Sequence, residues 1–457
     1  MKARPLWPLT AGLALGAAVL ALGCDFDAAY QRYCAQTGAC APDAASRDVG
    51  MSRLDAATAA PDAAGPEEDA ALSGLDAEAP GPDATAMSWD AGTTSPPDGG
   101  PGILPDAGGC PSHQTLCDGA CVDTSNNRHY CGTCGHDCAG GFCIDGVCQP
   151  FEIRDDLDPP LHLGVNANGV FFAQETDPLF QILECPLWGC FQAPTVVGAA
   201  ISHIYDLVAG DGTILLMSSN QATKDRPTLF YCADTGCPGS ILTQALDNDG
   251  LGSLTSLTYE GTHAYWLHQN HLAIRHSECS NGTCSAAESI FTFIDEPRLM
   301  TTDATSVFFV DSQNELQRCP GSGTGCAPTV LASGISAIAM SQANALLYLL
   351  DSGTEGNLNG SIMKCTTQDC SGGSPTTVMG NLAYPLLFAQ DATSAFWYAD
   401  DTGVIQSAAL QNPGTPKVLA NGLAGSAMQQ LHTQGDVVYW VQTSATAGKV
   451  VIMAVAK

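Results

Sequence analysis

Seven short apolar runs recur along the last two thirds of the chain, and stretches rich in Gly, Asn, Asp and Pro separate them. The runs are GVFFAQ at 169, GTILLM at 212, HAYWLH at 263, SVFFVD at 306, LLYLLD at 346, AFWYAD at 395 and VVYWVQ at 437. Their equivalent residues, spaced by 44, 50, 43, 40, 48 and 43 positions, are Phe172, Leu216, Trp266, Phe309, Leu349, Trp397 and Trp440. A period of this length indicates a repeat architecture with seven units.

Each unit contains four short strands, which the fifth unit shows most clearly as ISAIAMS, ALLYLLD, SIMKC and TTVMG. Aromatic and β-branched runs, without a long helical periodicity, favour strands over helices. Four strands per unit, repeated around an axis, are typical of a β-propeller blade, whereas a pair of β-sandwiches does not account for seven in-register units. We therefore predict an all-β fold, a seven-bladed β-propeller over residues 150–457, with six or eight blades as the alternatives.

The seventh unit is incomplete, because the sequence stops at KVVIMAVAK after its third strand. A closed ring then needs a fourth strand from the other end of the domain, and PFEIR at 150–154 is available for it. Pairing this segment with the last strand leaves no exposed edge in the ring. The propeller itself resembles degenerate propeller lipoproteins of large-genome Gram-negative bacteria, which mostly lack an established activity.

The first residues, MKARPLWPLTAGLALGAAVLALGC, combine a basic start with an uncharged stretch rich in Leu and Ala. This layout is typical of a signal peptide, here residues 1–23. The closing LALGC resembles the lipobox of bacterial lipoproteins, with Ala21 where that family usually has Leu. The resemblance implies cleavage before Cys24 and acylation of Cys24, for example by palmitate. An ordinary signal peptide followed by a chance cysteine is the alternative.

Residues 24–109 follow as a lipidated N-terminus and a tether rich in Ala, Pro, Asp and Gly, with the triplet Pro-Asp-Ala at 42, 61, 82 and 105. A segment so poor in aromatic residues cannot bury enough apolar surface to offset the entropy of ordering. Its prolines and like charges favour extended conformations. We therefore predict a disordered linker that holds the folded part away from a membrane.

The chain has 21 cysteines, and setting aside Cys24 leaves an even number. Five pairs, each following the third strand of a blade, have four to six residues between their cysteines, and we call each pair a clasp. We expect the second cysteine of each clasp to open the fourth strand, so that the pair closes the hairpin between the third and fourth strands. Cysteines that occur in even-numbered groups in an exported chain favour disulfides. A redox-active pair would instead be expected to have C-x2-C spacing. The predicted disulfide-bonded cysteines are Cys34 with Cys40, and in the clasps Cys185 with Cys190, Cys232 with Cys237, Cys279 with Cys284, Cys319 with Cys326 and Cys365 with Cys370.

Residues 110–148 hold eight further cysteines and almost no aliphatic core, so disulfides must stabilise this cysteine-rich module. The cysteines are Cys110, Cys117, Cys121, Cys131, Cys134, Cys138, Cys143 and Cys148. The stretches CDGACVD, CGTCGHDC and CIDGVC resemble the stigma-specific cysteine-rich family, although that family's doubled cysteines are missing. The connectivity stays open. Zinc bound by Cys131, Cys134, Cys138 and His136 is an alternative, since C-x2-C is a ligand spacing.

Loops joining the second and third strands of propeller blades share one face with the connections between blades. These loops vary in this chain, and variable loops on a uniform scaffold are typical of a binding surface. The candidate binding residues are Lys224, Asp225, Arg226, His268, His271, Glu355, Asp400 and Asp401. Solvated turn residues without a ligand are the alternative.

Charge narrows the range of partners. The chain has 47 acidic and 16 basic residues and a net charge of −31, so it repels phosphate backbones and is not expected to bind nucleic acid. It lacks G-x-S-x-G, Walker, dinucleotide-binding and H-E-x-x-H motifs, and we predict no cofactor. Four histidines crowd blade three, at 263, 268, 271 and 276, but strand alternation should send them to different faces, so we predict no metal site.

The sequence predicts an exported, monomeric protein, lipid-anchored in the bacterial cell envelope, with the outer membrane or cell surface favoured over the inner membrane. Its propeller is expected to bind an envelope protein or glycan without catalysis. Two alternatives stay open: a polysaccharide lyase or hydrolase with its site at the channel mouth, and a scaffold for envelope assembly.

Overall fold

The computed structural model describes residues 110–457, except positions 160, 177–178, 191, 202–203, 220–226, 237–241, 246–253, 269–271, 281–282, 293–296 and 304. The predicted signal peptide, the predicted acylation site Cys24, the predicted tether and the predicted Cys34–Cys40 pair lie outside the described residues. Residues 105–457 belong to one compact unit. Within the described part, no helix is both long enough and apolar enough to cross a bilayer.

The cysteine-rich module contains two small hairpins. They are formed by β1 (Thr115–Cys117) with β2 (Ala120–Val122), and by β3 (Cys143–Ile144) with β4 (Val147–Cys148). Four disulfides cross-link it, and they join Cys110 to Cys121, Cys117 to Cys134, Cys131 to Cys143 and Cys138 to Cys148. The connectivity that the sequence left open is thus assigned.

The remaining strands form seven antiparallel sheets. Strand β5 spans Phe151–Leu157. Blade one contains β6 (His162–Val165), β7 (Val170–Thr176), β8 (Leu179–Cys185) and β9 (Thr195–Ile201). Blade two contains β10 (Ile204–Gly210), β11 (Thr213–Ser219), β12 (Pro227–Ala233) and β13 (Leu242–Ala245). Blade three contains β14 (Leu254–Glu260), β15 (His263–His268), β16 (Ala273–Ser280), the short β17 (Thr283–Cys284) and β18 (Glu288–Thr292).

The other four blades repeat the pattern. Blade four contains β19 (Leu299–Thr302), β20 (Ser306–Val310), β21 (Glu315–Pro320) and β22 (Thr329–Ser333). Blade five contains β23 (Ala339–Ala343), β24 (Leu346–Asp351), β25 (Leu358–Thr366) and β26 (Thr376–Ala383). Blade six contains β27 (Pro385–Gln390), β28 (Ser394–Ala399), β29 (Val404–Ala409) and β30 (Lys417–Ala420). Blade seven contains β31 (Gln430–Gln434), β32 (Val437–Thr443) and β33 (Val450–Ala456). Single 3-10 turns lie at Ser371–Gly373 and Asp400–Thr402.

Blade seven takes its fourth strand from the start of the propeller, because β5 pairs antiparallel with β33. The predicted seven blades and the predicted closing segment are both confirmed, and the strand extends three residues beyond 154 to Leu157. A second link closes the ring at the centre. Gln430 on β31 accepts a hydrogen bond from the Leu163 amide at 2.9 Å and donates one to the Leu161 carbonyl at 3.0 Å.

The second strand of every blade is buried on both faces, which explains its unbroken apolar sequence. Alternate residues of a strand face opposite sides of its sheet. In blade one, Phe172 packs with Tyr439 of blade seven, while Phe171 packs with Leu216 of blade two. The same alternation continues around the ring, so each interface between blades has its own apolar core.

Four clasps are disulfides in the structure, joining Cys185 to Cys190, Cys279 to Cys284, Cys319 to Cys326 and Cys365 to Cys370. Cys232 is also disulfide-bonded, and its predicted partner, Cys237, lies outside the described residues. One expectation is wrong. The second cysteine does not open the fourth strand: Cys190, Cys326 and Cys370 lie before it, in the connection between the strands, and Cys284 belongs to the short β17 that precedes β18.

The second cysteine instead contacts the preceding blade. The Cys190 amide donates to the Ile153 carbonyl of blade seven at 2.9 Å, and the Cys326 amide donates to the Ile290 carbonyl of blade three at 3.0 Å. A tyrosine of each preceding blade adds a second contact. The Tyr439 hydroxyl donates to Leu187 O at 3.3 Å, and the Tyr265 hydroxyl donates to Gly321 O at 3.0 Å. These clasps therefore brace the outer part of the interface between blades.

The cysteine-rich module occupies the corresponding place in blade seven. Its last disulfide ends at Cys148, three residues before the start of β5, and its buried cysteines pack on Ala456 at the end of β33. His136 Nε2 lies within hydrogen-bond distance, 2.9 Å, of Lys457 O. The module thus covers the gap between the third and fourth strands of blade seven, as the clasps do in other blades.

Removing the clasp of blade four tests this brace. Replacing both cysteines, Cys319→Ser with Cys326→Ser, releases an eight-residue loop, for which chain entropy gives a loss of about 2.5 kcal/mol. The expected result is a fall in the thermal midpoint of about 3 °C under oxidising conditions, from an unfolding entropy of about 2.1 cal/mol/K per residue. The control is Ser322→Ala, which changes an exposed residue inside the same loop and leaves the disulfide in place. An unchanged midpoint in the double variant contradicts a bracing role.

Candidate functional site

The structure gathers only some of the predicted binding residues. Lys224, Asp225, Arg226 and His271 lie outside the described residues. Glu355 and Asp401 are exposed and Asp400 is partly exposed, all on neighbouring loops of blades five and six.

His268 does not belong to this surface, and its assignment as a binding residue is wrong. Strand β15 extends through His268, which pairs with Leu254 and Ala273 and is fully buried. By strand alternation it lies on the same side of the sheet as Trp266, which packs against blade two. The polar sequence HQNH suggested a loop, but its first residue completes the strand.

The loops of blades five and six are joined directly. The Gly356 amide donates a hydrogen bond to Asp401 Oδ2 at 2.9 Å. Glu355 precedes that glycine, and Asp400 precedes Asp401. Three carboxylates are therefore brought to one edge of the loop face, where they form what we call the acidic rim, defined as Glu355, Asp400 and Asp401.

A groove of about 460 Å³ begins beside this rim, between blades five and six. Its lining residues are Leu358, Met379, Gly380, Asn381, Leu382, Ala383, Thr402, Gln406, Gly414 and Pro416. Leu358 is 67% exposed, a high value for a large apolar side chain at the start of a strand. Thr402 directly follows Asp401, so the acidic rim and the groove form one continuous site.

The groove lies where the repeating pattern of clasps is interrupted. Blade six has SAALQNPG in place of a clasp, and Gly414 and Pro416 of the same connection line the groove. At the preceding interface the clasp cysteine Cys370 packs in one apolar cluster with Leu331 on the outer strand of blade four. Without a clasp, the outer strand of blade five stays accessible beside blade six.

The backbone of that outer strand is irregular at the groove. Pairing between β25 and β26 shifts register at three points. Asn381 adopts a positive φ of 59°, which asparagine tolerates better than most residues. β-Bulges of this kind break the hydrogen-bond ladder and leave main-chain groups for other partners. The groove thus combines apolar side chains with an irregular strand and a negative edge.

The inner strands hold a second polar feature, which the sequence reasoning missed. Asp206 on β10 accepts hydrogen bonds from the amides of Leu207 at 2.9 Å and Leu257 at 3.0 Å. Burial raises the pKa of Asp206 to about 6, against the opposing effect of these two amides. Because Leu257 belongs to blade three, this carboxylate links two blades near the axis. In the sequence, a single acidic residue inside the apolar run IYDLVAG could have indicated this buried carboxylate.

His432 on β31 is another group of the inner strands whose pKa is shifted. Burial lowers its pKa to about 4, which keeps the imidazole neutral. Its Nε2 lies 3.4 Å from Oε1 of Gln430, the residue that closes the ring. Asp206 and His432 are thus both engaged with groups that hold blades together, and these contacts account for them as structural residues.

The three cysteines considered as zinc ligands form disulfides in the structure. Cys131, Cys138 and Cys148 have their sulfur atoms within 4.8 Å of one another, but each belongs to a disulfide. Cys134 is bonded to Cys117. The ring of His136 faces backbone oxygens of Cys131 and Lys457. In this oxidised state the module offers no thiolate from these residues.

Comparison with known proteins gives a likeness of fold only. No protein-family model and no curated protein matches the chain. A structure of a nidogen/laminin complex is 17% identical, covers 50% of this chain and 86% of its own, and has a TM-score of 0.37. The computationally designed Ika8 protein is 11% identical, with coverages of 66% and 98% and a TM-score of 0.42. The N-terminal domain of Nup159 is 7% identical, with coverages of 68% and 94% and a TM-score of 0.41. None of these likenesses carries an argument about function.

Replacing Asp206 by Asn should change how stability depends on pH. The pKa of Asp206 in the folded protein is about 6, above its ordinary value of 3.8. Between these two pH values the folded state therefore binds more protons than the unfolded state. As pH rises through this window, the free energy of unfolding of the wild type falls by up to about 3 kcal/mol, at about 1.4 kcal/mol for each unit of pKa difference. Asp206→Asn should lack this loss in urea unfolding at pH 4.5 and 7.5. The control is the exposed Asp369→Asn, and identical pH profiles for Asp206→Asn and the wild type contradict the assignment.

Proposed function

We propose that this chain is a lipid-anchored, non-catalytic binding protein of the bacterial cell envelope. Its ligand is a polypeptide partner that carries an extended basic segment, and it binds in the groove between blades five and six. The observation that carries the proposal is an apolar groove with an acidic rim, at the interface where the clasp is missing.

The anchor follows from the N-terminal sequence. The lipobox-like LALGC supports acylation of Cys24, and one acylated N-terminus holds the chain at a membrane surface. The linker from Asp25 to Gly109 spans roughly 50 Å as a flexible coil, from about 5 to 6 Å per square root of the residue number. A propeller on such a tether would reach partners beyond the headgroup layer.

The charge and shape of the groove favour a basic polypeptide. Leu358, which is exposed, and Met379, which is partly buried, lie next to polar groups in the groove, and accessible apolar side chains of this kind are typical of a protein interaction site. The irregular edge of β26 offers main-chain groups to an extended segment, as in recognition by strand addition. The acidic rim, in a chain of net charge −31, attracts Lys or Arg rather than an acidic partner.

A glycan is the competing ligand class. None of the ten residues that line the groove is aromatic, whereas sugar rings commonly stack their C–H faces on aromatic side chains. The groove therefore lacks the usual sugar platform. A polypeptide uses what is present, namely aliphatic side chains, backbone groups and carboxylates.

Peptide binding tests the site. The probe is a fluorescein-labelled, extended peptide of alternating Lys and Val, titrated against the mature full-length chain at low salt. Asp400→Asn with Asp401→Asn should weaken binding about tenfold, which corresponds to about 1.4 kcal/mol. Leu358→Ser should weaken it by a similar factor, because apolar contact is lost at a site too exposed to affect folding. Fluorescence anisotropy measures both.

The matched control is Asp369→Asn, which removes the same kind of charge from an exposed position in the blade-five clasp. It should leave affinity unchanged, while raised salt should weaken binding of the wild type. Equal weakening by Asp369→Asn, or retention of envelope glycans with no peptide binding, overturns the assignment of the groove to a basic polypeptide.

The anchor has its own test. Cys24→Ser removes the acceptor thiol, so the protein should leave the membrane fraction and lose labelling by an alkyne palmitate analogue. The control is Cys34→Ser with Cys40→Ser, which removes cysteines from the same region and should stay labelled and membrane-bound. A Cys24→Ser protein that still sediments with membranes contradicts lipid anchoring.

A further inference from the structure

Two histidines of blade three share one face of the sheet. His263 on β15 pairs with Glu278 on β16, and His276 on β16 pairs with Tyr265 on β15. Residues directly opposite each other share a face, as do residues two apart on a strand. His263 and His276 are therefore diagonal neighbours, and their ring centroids lie 6.2 Å apart.

This face points toward blade four, since Tyr265 packs with Val307 and Phe309. His276 is 7% exposed. Among the described residues, neither of its ring nitrogens has a hydrogen-bond partner, and Nδ1 of His263 is likewise buried without one. Buried polar atoms without a partner are uncommon and call for an explanation. The two imidazoles account for three such nitrogens at one place.

Carboxylates surround the two rings. Glu288 Oε2 lies 3.6 Å from His276 Nε2, beyond hydrogen-bond distance, and the Glu288 side chain is about half exposed. Glu278 and Glu260 flank His263 on the neighbouring strands. Glu260 also interacts with the Asp303 carboxylate of blade four, so acidic side chains are concentrated in this region.

We propose that His263, His276 and Glu288 form a binding site for a divalent transition-metal ion such as Zn²⁺. Imidazole nitrogens and carboxylate oxygens are the ligands that Zn²⁺ takes besides thiolate. Zn–N bonds of about 2.1 Å put an ion about 3.2 Å from each ring centroid, so one ion can bridge these rings. The ligand atoms of His263, His276 and Glu288 do not all lie within 4.8 Å of one another, so side-chain rotation has to bring them together around the ion, and water completes four-coordination.

The surroundings support this ligand set. Tyr265 is not a ligand, because its hydroxyl donates to Gly321 O. His268 lies on the opposite side of the sheet, toward blade two, and contributes nothing to the site. An ion here would tie β15, β16 and β18 together beside the clasp of blade four.

Metal titration tests the site. The full mature chain, without a polyhistidine tag and stripped with a chelator, is titrated with Zn²⁺ by calorimetry and with Co²⁺ by visible absorption. The expected result is one ion per chain, with the intense Co²⁺ bands of a four-coordinate site. Glu288→Gln and His276→Gln should each weaken Zn²⁺ binding at least tenfold, and Zn²⁺ should raise the thermal midpoint of the wild type but not of these two variants.

The matched control is His129→Gln, which removes an exposed histidine that contacts Asp137 in the module. It should leave the titration unchanged. Glu288 is exposed enough for Glu288→Gln to fold even if the buried His276→Gln does not. Absence of stoichiometric binding, or wild-type affinity in Glu288→Gln and His263→Gln, overturns the proposal.

Discussion

The structure depends on the burial of both faces of the second strand in every blade. A sheet that is apolar on both sides cannot be stable beside only one neighbour, since its other face would remain in water. Each blade therefore needs two neighbours, and a row of blades satisfies this condition at its ends only by closing on itself. The return of β5 to blade seven, and the hydrogen bonds of Gln430 across the same junction, follow from that requirement.

Packing at the outer edge of the ring follows a separate rule. The second strands carry large apolar side chains that fill the space between neighbouring blades. The outer strands lie farther from the axis and diverge, so each interface widens outward. Clasps fill this gap in blades one and four, where the second cysteine and the loop hydrogen-bond to the preceding blade. The cysteine-rich module packs instead on blade seven itself, at Ala456. The missing clasp in blade six accordingly leaves a groove, so the candidate site results from an interruption of the repeat.

The sequence predicts the features that repeat, and fails where contacts are non-local. Seven apolar runs at a regular spacing predict the blade number, because each blade repeats the same burial. The clasps were recognised as disulfides within a hairpin, but their contacts with the preceding blade join residues far apart in sequence, such as Cys190 and Ile153. The assignment of His268 failed for a local reason. Its strand is one residue longer than the polar sequence suggested, and that residue is buried. The groove could not be predicted, since its lining comes from two blades.

Alternation along a strand also explains why the histidines of blade three were misjudged as a group. Four histidines in a short stretch suggested scattering over both faces, which holds for His268 but not for the pair at 263 and 276. Odd or even position along one strand shows which face a residue occupies relative to its own neighbours. Whether residues on two different strands share a face depends on the register between those strands. Because His276 pairs with Tyr265, two positions from His263, the register places both imidazoles on the side of blade four. A shift of this register by one residue would have placed the two imidazoles on opposite faces of the sheet. Their unpaired nitrogens would then not lie together at the interface with blade four.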